Sequence, residues 1–126
     1  MYLNKSYKDL IVWQKAIELV AEIYRLTDKF PKHELFGLTS QMRRAAVSIP
    51  SNIAEGKMRG GDNEFKRFLY ISYASGAELE TQIIISKKLM YTDDCLFRQV
   101  DSLLEEVMKM LNKLINNKVP KQEPSV

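Results

Sequence analysis

The sequence has few of the side chains on which most catalytic and metal sites depend. Its 126 residues include one cysteine, Cys95, and one histidine, His33. A single cysteine excludes an internal disulfide, and helical-bundle metal sites need histidines beside their carboxylates. His33 lies in a polar segment, and neither residue has a third group to orient it as a nucleophile or base. We therefore predict no catalytic residues, no cofactor and no metal site.

Long apolar runs are also missing. No stretch approaches the roughly 18 apolar residues that a transmembrane helix needs, and the N-terminus lacks the apolar segment of a signal peptide. Hydrophobic residues make up 45% and charged residues 28%, with a net charge of +3, which is ordinary for a soluble globular domain. These features predict one cytoplasmic domain with no membrane partner.

Apolar residues recur at spacings of three and four along most of the chain, which is the period of an α-helix. Short segments with proline or paired glycines interrupt the pattern. Residues 118–126 contain two prolines and no periodicity, and they are predicted to form a disordered tail. Residues 1–117 are predicted to form an all-α, antiparallel up-down-up-down four-helix bundle. The helices are expected at about residues 7–28, 38–57, 63–90 and 93–116.

The second predicted helix contains a proline at its centre. Ala46, Ile49 and Ile53 keep the same helical phase on both sides of Pro50. An interior proline lacks an N–H and crowds the preceding turn, at a cost of about 3 kcal/mol. We expect a continuous helix that is kinked at Pro50 and ends near Gly56.

The first predicted helix begins after Ser6, which can cap it together with Asp9. Several apolar residues form one stripe along this helix, and we expect that stripe to face the core. It consists of Leu10, Trp13, Ile17, Val20 and Tyr24, and Ala16, Ala21 and Ile23 widen it.

The third predicted helix is apolar on more than one side. Its core stripe includes Leu69, Leu79 and Ile83, whereas Tyr73 and Ile84 lie outside it. A bundle helix in a monomer needs a narrower apolar face. Tyr73 and Ile84 are therefore predicted to lie in an oligomer interface.

Polar residues of the second and third helices are predicted to form a structural cluster. If the two helices pair as an antiparallel hairpin, Arg43 and Arg44 lie within reach of Glu78. Such buried clusters fix helix register more than they add stability. The predicted members are Arg43, Arg44, Ser51, Asn52, Glu55, Glu78 and Thr81.

Four cations flank the Gly60-Gly61 turn between these helices. The hairpin register does not place a carboxylate opposite each of these cations. Such a group of cations is usually part of an ordinary solvent-exposed surface. A cyclic oligomer would repeat it around one rim, and phosphate binding grows with the number of cations brought together. The predicted nucleic-acid-binding residues are Lys57, Arg59, Lys66 and Arg67.

Residues 41–56 closely resemble the signature of the 23S rRNA intervening-sequence protein family, and residues 7–16 and 77–82 match it as well. The resemblance implies an antiparallel four-helix bundle that is often a ring-shaped homopentamer, in a family whose molecular function is unsettled. A bundle similar in fold, the accessory protein of diversity-generating retroelements, binds nucleic acid and a reverse transcriptase.

These observations favour a non-enzymatic homo-oligomeric bundle, with a pentamer as the best guess, that binds RNA or DNA through its basic rim. The alternative is a protein–protein scaffolding module with no nucleic-acid role. An enzyme with a pocket on the oligomer axis is the third interpretation.

Overall fold

A computed structural model describes residues 6–117, which contain four α-helices and no strand. Each helix packs against the next in the chain, and the last packs against the first. The all-α four-helix prediction is confirmed, and the predicted tail lies outside the described residues. The helices are α1 (Ile11–Thr27), α2 (Leu38–Met58), α3 (Asp62–Lys88) and α4 (Asp94–Asn116).

The chain enters α1 through a short 3-10 turn, Tyr7–Asp9. The Ser6 hydroxyl accepts the Lys8 N–H at 3.0 Å, and the Ser6 N–H donates to the Asp9 carboxylate at 3.2 Å. The predicted cap is therefore present. Leu10 is extended, however, so α1 begins at Ile11 instead of residue 7.

The buried face of α1 differs from the predicted stripe. Ile17 and Tyr24 are 42% and 43% exposed, and Trp13 is only partly buried. The helix carries apolar residues on two neighbouring faces. The face that packs into the core is offset from the predicted stripe by one residue toward the N-terminus. That core face consists of Val12, Ala16, Leu19, Ile23 and Leu26, of which Ala16 and Ile23 belong to the widened predicted stripe.

Helix α2 is continuous through Pro50, which is buried. Further along, Gly56 lies inside the helix, which ends at Met58, so Gly56 is not the predicted stop. A Cβ atom on Gly56 would lie 2.6 Å from the Phe68 Cβ. Gly56 thus permits α2 and α3 to approach closely, while Gly60, with φ of +88°, forms the turn. The kink at Pro50 stays a prediction.

Contacts between α2 and α3 run in opposite senses along the two helices. Gly56 meets Phe68, and further along α3 the Ser72 hydroxyl donates to the Ile49 carbonyl at 2.9 Å. The hydroxyls of Ser48 and Ser75 follow, 2.8 Å apart. This pair of helices is therefore antiparallel, and the up-down-up-down order of the whole bundle stays a prediction.

Candidate nucleic-acid interface

The four predicted cations lie around one turn. Lys57 lies in the last turn of α2 and Arg59 follows that helix, whereas Lys66 and Arg67 lie in the first turns of α3. Nothing lies within 4 Å of a Cβ built on Gly60 or Gly61, so the turn between the two pairs is open. The structure thus brings the four cations to one end of the α2–α3 hairpin.

Two of the cations have carboxylate partners, contrary to the expectation from the hairpin register. Arg59 contacts the Glu55 carboxylate at 2.8 Å, and Arg67 contacts Glu64 at 3.2 Å. Each carboxylate lies one turn before its arginine in the chain. The hairpin register compares residues on opposite helices, so it does not predict such local pairs. The hydrogen bond to Glu55 raises the pKa of Arg59 above its usual value. Exposed pairs of this kind contribute little to stability, so a phosphate can displace the carboxylate.

The other two cations, Lys57 and Lys66, form no ion pair with any residue in the 6–117 range. Lys57 instead lies over the Phe65 ring, with its ammonium 5.5 Å from the ring centroid. Such cation–π contacts hold a cation in place without neutralising its charge. Lys57 is therefore both exposed and positioned.

Phe68 organises the two arginines in the same way. The guanidinium of Arg59 lies 5.0 Å from the Phe68 ring centroid, and that of Arg67 lies 4.6 Å from it. The ring itself is buried beside Gly56. Cations from both sides of the turn thus converge on one aromatic ring, which fixes the spacing of the positive charges.

Lys8 joins this basic surface, although the sequence pattern places it only on the polar side of the predicted first helix. A groove separates the 3-10 turn at the start of the chain from the α2–α3 turn, and Tyr7, Lys8, Lys57 and Phe65 all line it. The position of Lys8 near this turn could have been predicted from the topology of an up-down bundle. In such a bundle the start of the first helix and the second turn share one end.

The predicted polar cluster is not formed, because Arg43 points away from Glu78. The Arg43 Nε donates to the Thr27 hydroxyl at 2.9 Å, and its guanidinium lies 4.4 Å from the centroid of the Tyr24 ring. Both partners belong to α1. Arg43 lies on the side of α2 that packs against α1, whereas Arg44 is exposed.

The other predicted members of the cluster make local contacts. The Thr81 hydroxyl donates to the Ala77 carbonyl at 2.9 Å, and the Asn52 amide donates to the Ser48 carbonyl at 2.8 Å. Ser51 and Glu78 are exposed, and Glu55 pairs with Arg59 as described above. The polar contacts that do join α2 to α3 come from serines, whose small side chains fit between closely packed helices.

The predicted interface residues line a groove between α3 and α4. Ile84 is 51% exposed and Tyr73 is half-buried, and both face this groove beside Met108. Gly76 adjoins Met108 at the same place, since a Cβ on Gly76 would overlap the Met108 sulfur. The groove is therefore a concave surface with an apolar lining.

Within residues 6–117, no three histidine, cysteine, aspartate or glutamate side chains come together as metal ligands. In the same range no helix combines the length and apolar character needed to cross a bilayer.

Residues 8–113 match the sequence model of the 23S rRNA-intervening sequence protein family. The chain belongs to this family. The predicted resemblance is thereby confirmed. No protein of curated function matches the chain.

One solved structure has the same fold as this chain. It is a protein of unknown function from the S23 ribosomal protein family of Bacteroides thetaiotaomicron, with a TM-score of 0.78. The two sequences are 21% identical, and the match covers 84% of this chain and 99% of the other. At that identity the likeness shows the fold alone.

Proposed function

We propose that this protein is a non-enzymatic, homo-oligomeric bundle that binds RNA or DNA through the basic end of the α2–α3 hairpin. The observation that carries the proposal is the convergence of Lys57, Arg59, Lys66 and Arg67 on an open glycine turn. We place the protein in the cytoplasm, in keeping with its single exposed cysteine, Cys95.

The basic end suits phosphate because its cations are positioned before a ligand arrives. Lys57 is held over Phe65, and both arginines are held over Phe68. Pre-organised cations lose less conformational freedom on binding than mobile ones. The local excess of charge on one chain is small, and the proposed homo-oligomer would multiply the phosphate contacts on one particle.

The scaffolding alternative has its own supporting observation. Phe36 is 93% exposed beside half-exposed Leu35 and Val47, and a contiguous exposed apolar patch often receives a protein. A scaffold with no nucleic-acid role would not respond to substitutions at the basic end. The same experiment therefore separates the two functions.

The experiment is retardation of ribosomal RNA fragments on native gels across a salt series. The variant Lys57→Gln/Lys66→Gln removes the two cations that have no ion pair among residues 6–117. We expect weaker binding and a flatter salt dependence, by about one unit of slope for each phosphate that the variant no longer neutralises. The matched control is Lys29→Gln/Lys88→Gln, which removes two exposed lysines outside the α2–α3 turn.

Equal affinity and slope for the parent and the Lys57→Gln/Lys66→Gln variant would show that these residues do not bind RNA. Absence of binding by the parent at low salt would favour the scaffold. Light scattering should give a mass several times 14.6 kDa, with a pentamer as the best guess from the resemblance. A protein that stays monomeric at concentrations on the order of tens of micromolar would contradict the homo-oligomer.

A further inference from the structure

Phe36 is the most exposed large apolar side chain of residues 6–117, at 93%. It lies between the 3-10 turn Lys32–Glu34 and the start of α2, beside half-exposed Leu35 and Val47. We call this surface the Phe36 patch, defined by Tyr24, Leu35, Phe36, Arg43, Arg44 and Val47.

The Phe36 patch has a fixed shape. The carboxylate of Glu34, which precedes Phe36 in the chain, accepts the Tyr91 hydroxyl at 2.6 Å. It also accepts the N–H of Leu38, which follows Phe36, at 2.9 Å. Both hydrogen bonds hold the short segment that carries the ring. Phe36 therefore projects from a braced loop, and binding would cost little additional order.

The patch is positively charged. Arg43 and Arg44 line it, and no carboxylate among residues 6–117 does so. Arg43 is occupied by Thr27 and Tyr24, whereas Arg44 is exposed and forms no ion pair in the same range. The surface thus combines a protruding aromatic ring with an unpaired cation.

The groove between α3 and α4 has the opposite shape and charge. Its apolar lining includes Tyr73, Ile84 and Met108. Three carboxylates and two lysines surround that lining, and each lysine pairs with a carboxylate, Lys87 with Asp101 at 2.5 Å and Lys109 with Glu105 at 3.3 Å. The remaining acid, Glu80, forms no ion pair among the described residues.

We propose that the Phe36 patch of one copy binds the α3–α4 groove of a second copy, with the Phe36 ring against Tyr73, Ile84 and Met108 and with Arg44 facing Glu80. This inference rests on the homo-oligomer proposed above and names its contact. The second copy is the favoured occupant because one chain carries both complementary surfaces, so one contact covers both of them. Opposite unpaired charges fix the register of such a contact.

The contact is heterologous, because two different surfaces meet. A heterologous contact gives a closed ring when its rotation closes and an open fibre when it does not. A single discrete mass larger than that of the monomer would therefore identify a ring.

The first test compares the masses of variants by analytical ultracentrifugation at several concentrations. Phe36→Ser removes a ring that packs little within the monomer, and Ile84→Asp places a charge in the groove. We expect both variants to need at least about tenfold higher concentration to assemble, with unchanged circular dichroism. Met90→Ser, which removes an 83% exposed side chain outside both surfaces, should assemble like the parent.

The second test exchanges the proposed charge pair. Arg44→Glu and Glu80→Arg should each weaken assembly, and the double variant Arg44→Glu/Glu80→Arg should recover most of the assembly. An oligomer that forms equally well with Phe36→Ser overturns this contact and leaves the homo-oligomer standing. A parent protein that is monomeric at concentrations on the order of tens of micromolar overturns both. Failure of the double variant to recover overturns the pairing of Arg44 with Glu80.

Discussion

The hydroxyl of Tyr91 donates a hydrogen bond of 2.6 Å to the Oε2 atom of Glu34. The Oε1 atom of the same carboxylate accepts the N–H of Leu38 at 2.9 Å. One side chain therefore links the segment between α3 and α4 to the first turn of α2. The hydrogen bond from Tyr91, the hydrogen bond from Leu38 and nearby His33 lower the pKa of Glu34 below its usual value.

This carboxylate makes stability depend on pH. A group whose pKa is lowered by folding stabilises the folded state above its unfolded pKa, and this contribution is lost as the pH falls through its folded pKa. We expect the melting temperature to fall on acidification below about pH 4.5, the ordinary pKa of a glutamate side chain. Glu34→Gln should reduce that dependence in thermal melts from neutral pH down to below the ordinary pKa of glutamate.

Tyr91→Phe should also reduce the pH dependence of the melting temperature. It removes the hydrogen bond from Tyr91, which is the largest cause of the lowered pKa of Glu34. Glu18→Gln is the matched control, since Glu18 is exposed and lies outside this link. An unchanged pH dependence in Glu34→Gln would show that the carboxylate does not stabilise the folded loops.

Helical spacing was sufficient to predict the number of helices, but it did not settle which face of α1 is buried. Ile17 and Leu19 both fit a helical apolar stripe, yet Leu19 is fully buried and Ile17 is 42% exposed. When apolar residues cover two neighbouring faces, the choice between them depends on the other helices. The periodicity of one helix contains no information about that packing.

The candidate site was predictable to the extent that it follows from chain order. Lys57 and Lys66 flank the same glycine turn, so they had to lie at one end of the hairpin. The partner of Arg43 was not predictable in this way. Thr27 belongs to another helix, and its contact with Arg43 depends on the rotation of α2 against α1.

Gly56 should resist substitution because two helices meet at it. In Gly56→Ala the new Cβ would lie 2.6 Å from the Phe68 Cβ, which is fixed to the backbone of α3. Overpacking typically costs about 1–3 kcal/mol, and the better helix propensity of alanine returns at most about 1 kcal/mol. Because the Phe68 Cβ cannot rotate away, we expect a cost near the upper end of that range, so urea denaturation should show a net destabilisation of about 2 kcal/mol.

Gly76→Ala is the comparison for this prediction. There the neighbour is the sulfur of Met108, at the flexible end of a side chain that can rotate away. We expect a smaller decrease in stability than in Gly56→Ala. If Gly56→Ala is as stable as the parent, the close approach of α2 and α3 is not a constraint on the fold.

Lys8 should contribute to nucleic-acid binding although it is distant in sequence from the other cations. It lines the same groove as Lys57, so a phosphate backbone that lies in the groove passes both residues. Lys8→Gln should flatten the salt dependence of RNA binding by about one unit of slope. Its melting temperature should match that of the parent, because Lys8 is exposed. A slope equal to that of the parent would exclude Lys8 from the interface.

Arg43 and the adjacent Arg44 should differ in their effect on stability. Arg43→Ala removes the 2.9 Å hydrogen bond to Thr27 and the contact with the Tyr24 ring. Thr27 remains hydrogen-bonded to the Ile23 carbonyl at 2.7 Å, so the Thr27 hydroxyl is not left unpaired. We expect a destabilisation of about 1–2 kcal/mol in urea denaturation.

Arg44→Ala should change the free energy of unfolding by about 0.5 kcal/mol or less, because the side chain is exposed. Arg43→Lys should recover little of the stability, since lysine keeps the charge but lacks the Nε donor and the planar group that stacks on Tyr24. Glu78→Gln distinguishes this arrangement from the predicted pair with Arg43. Breaking a buried pair would cost about 3–5 kcal/mol, whereas the same change at exposed Glu78 should leave the free energy of unfolding almost unchanged.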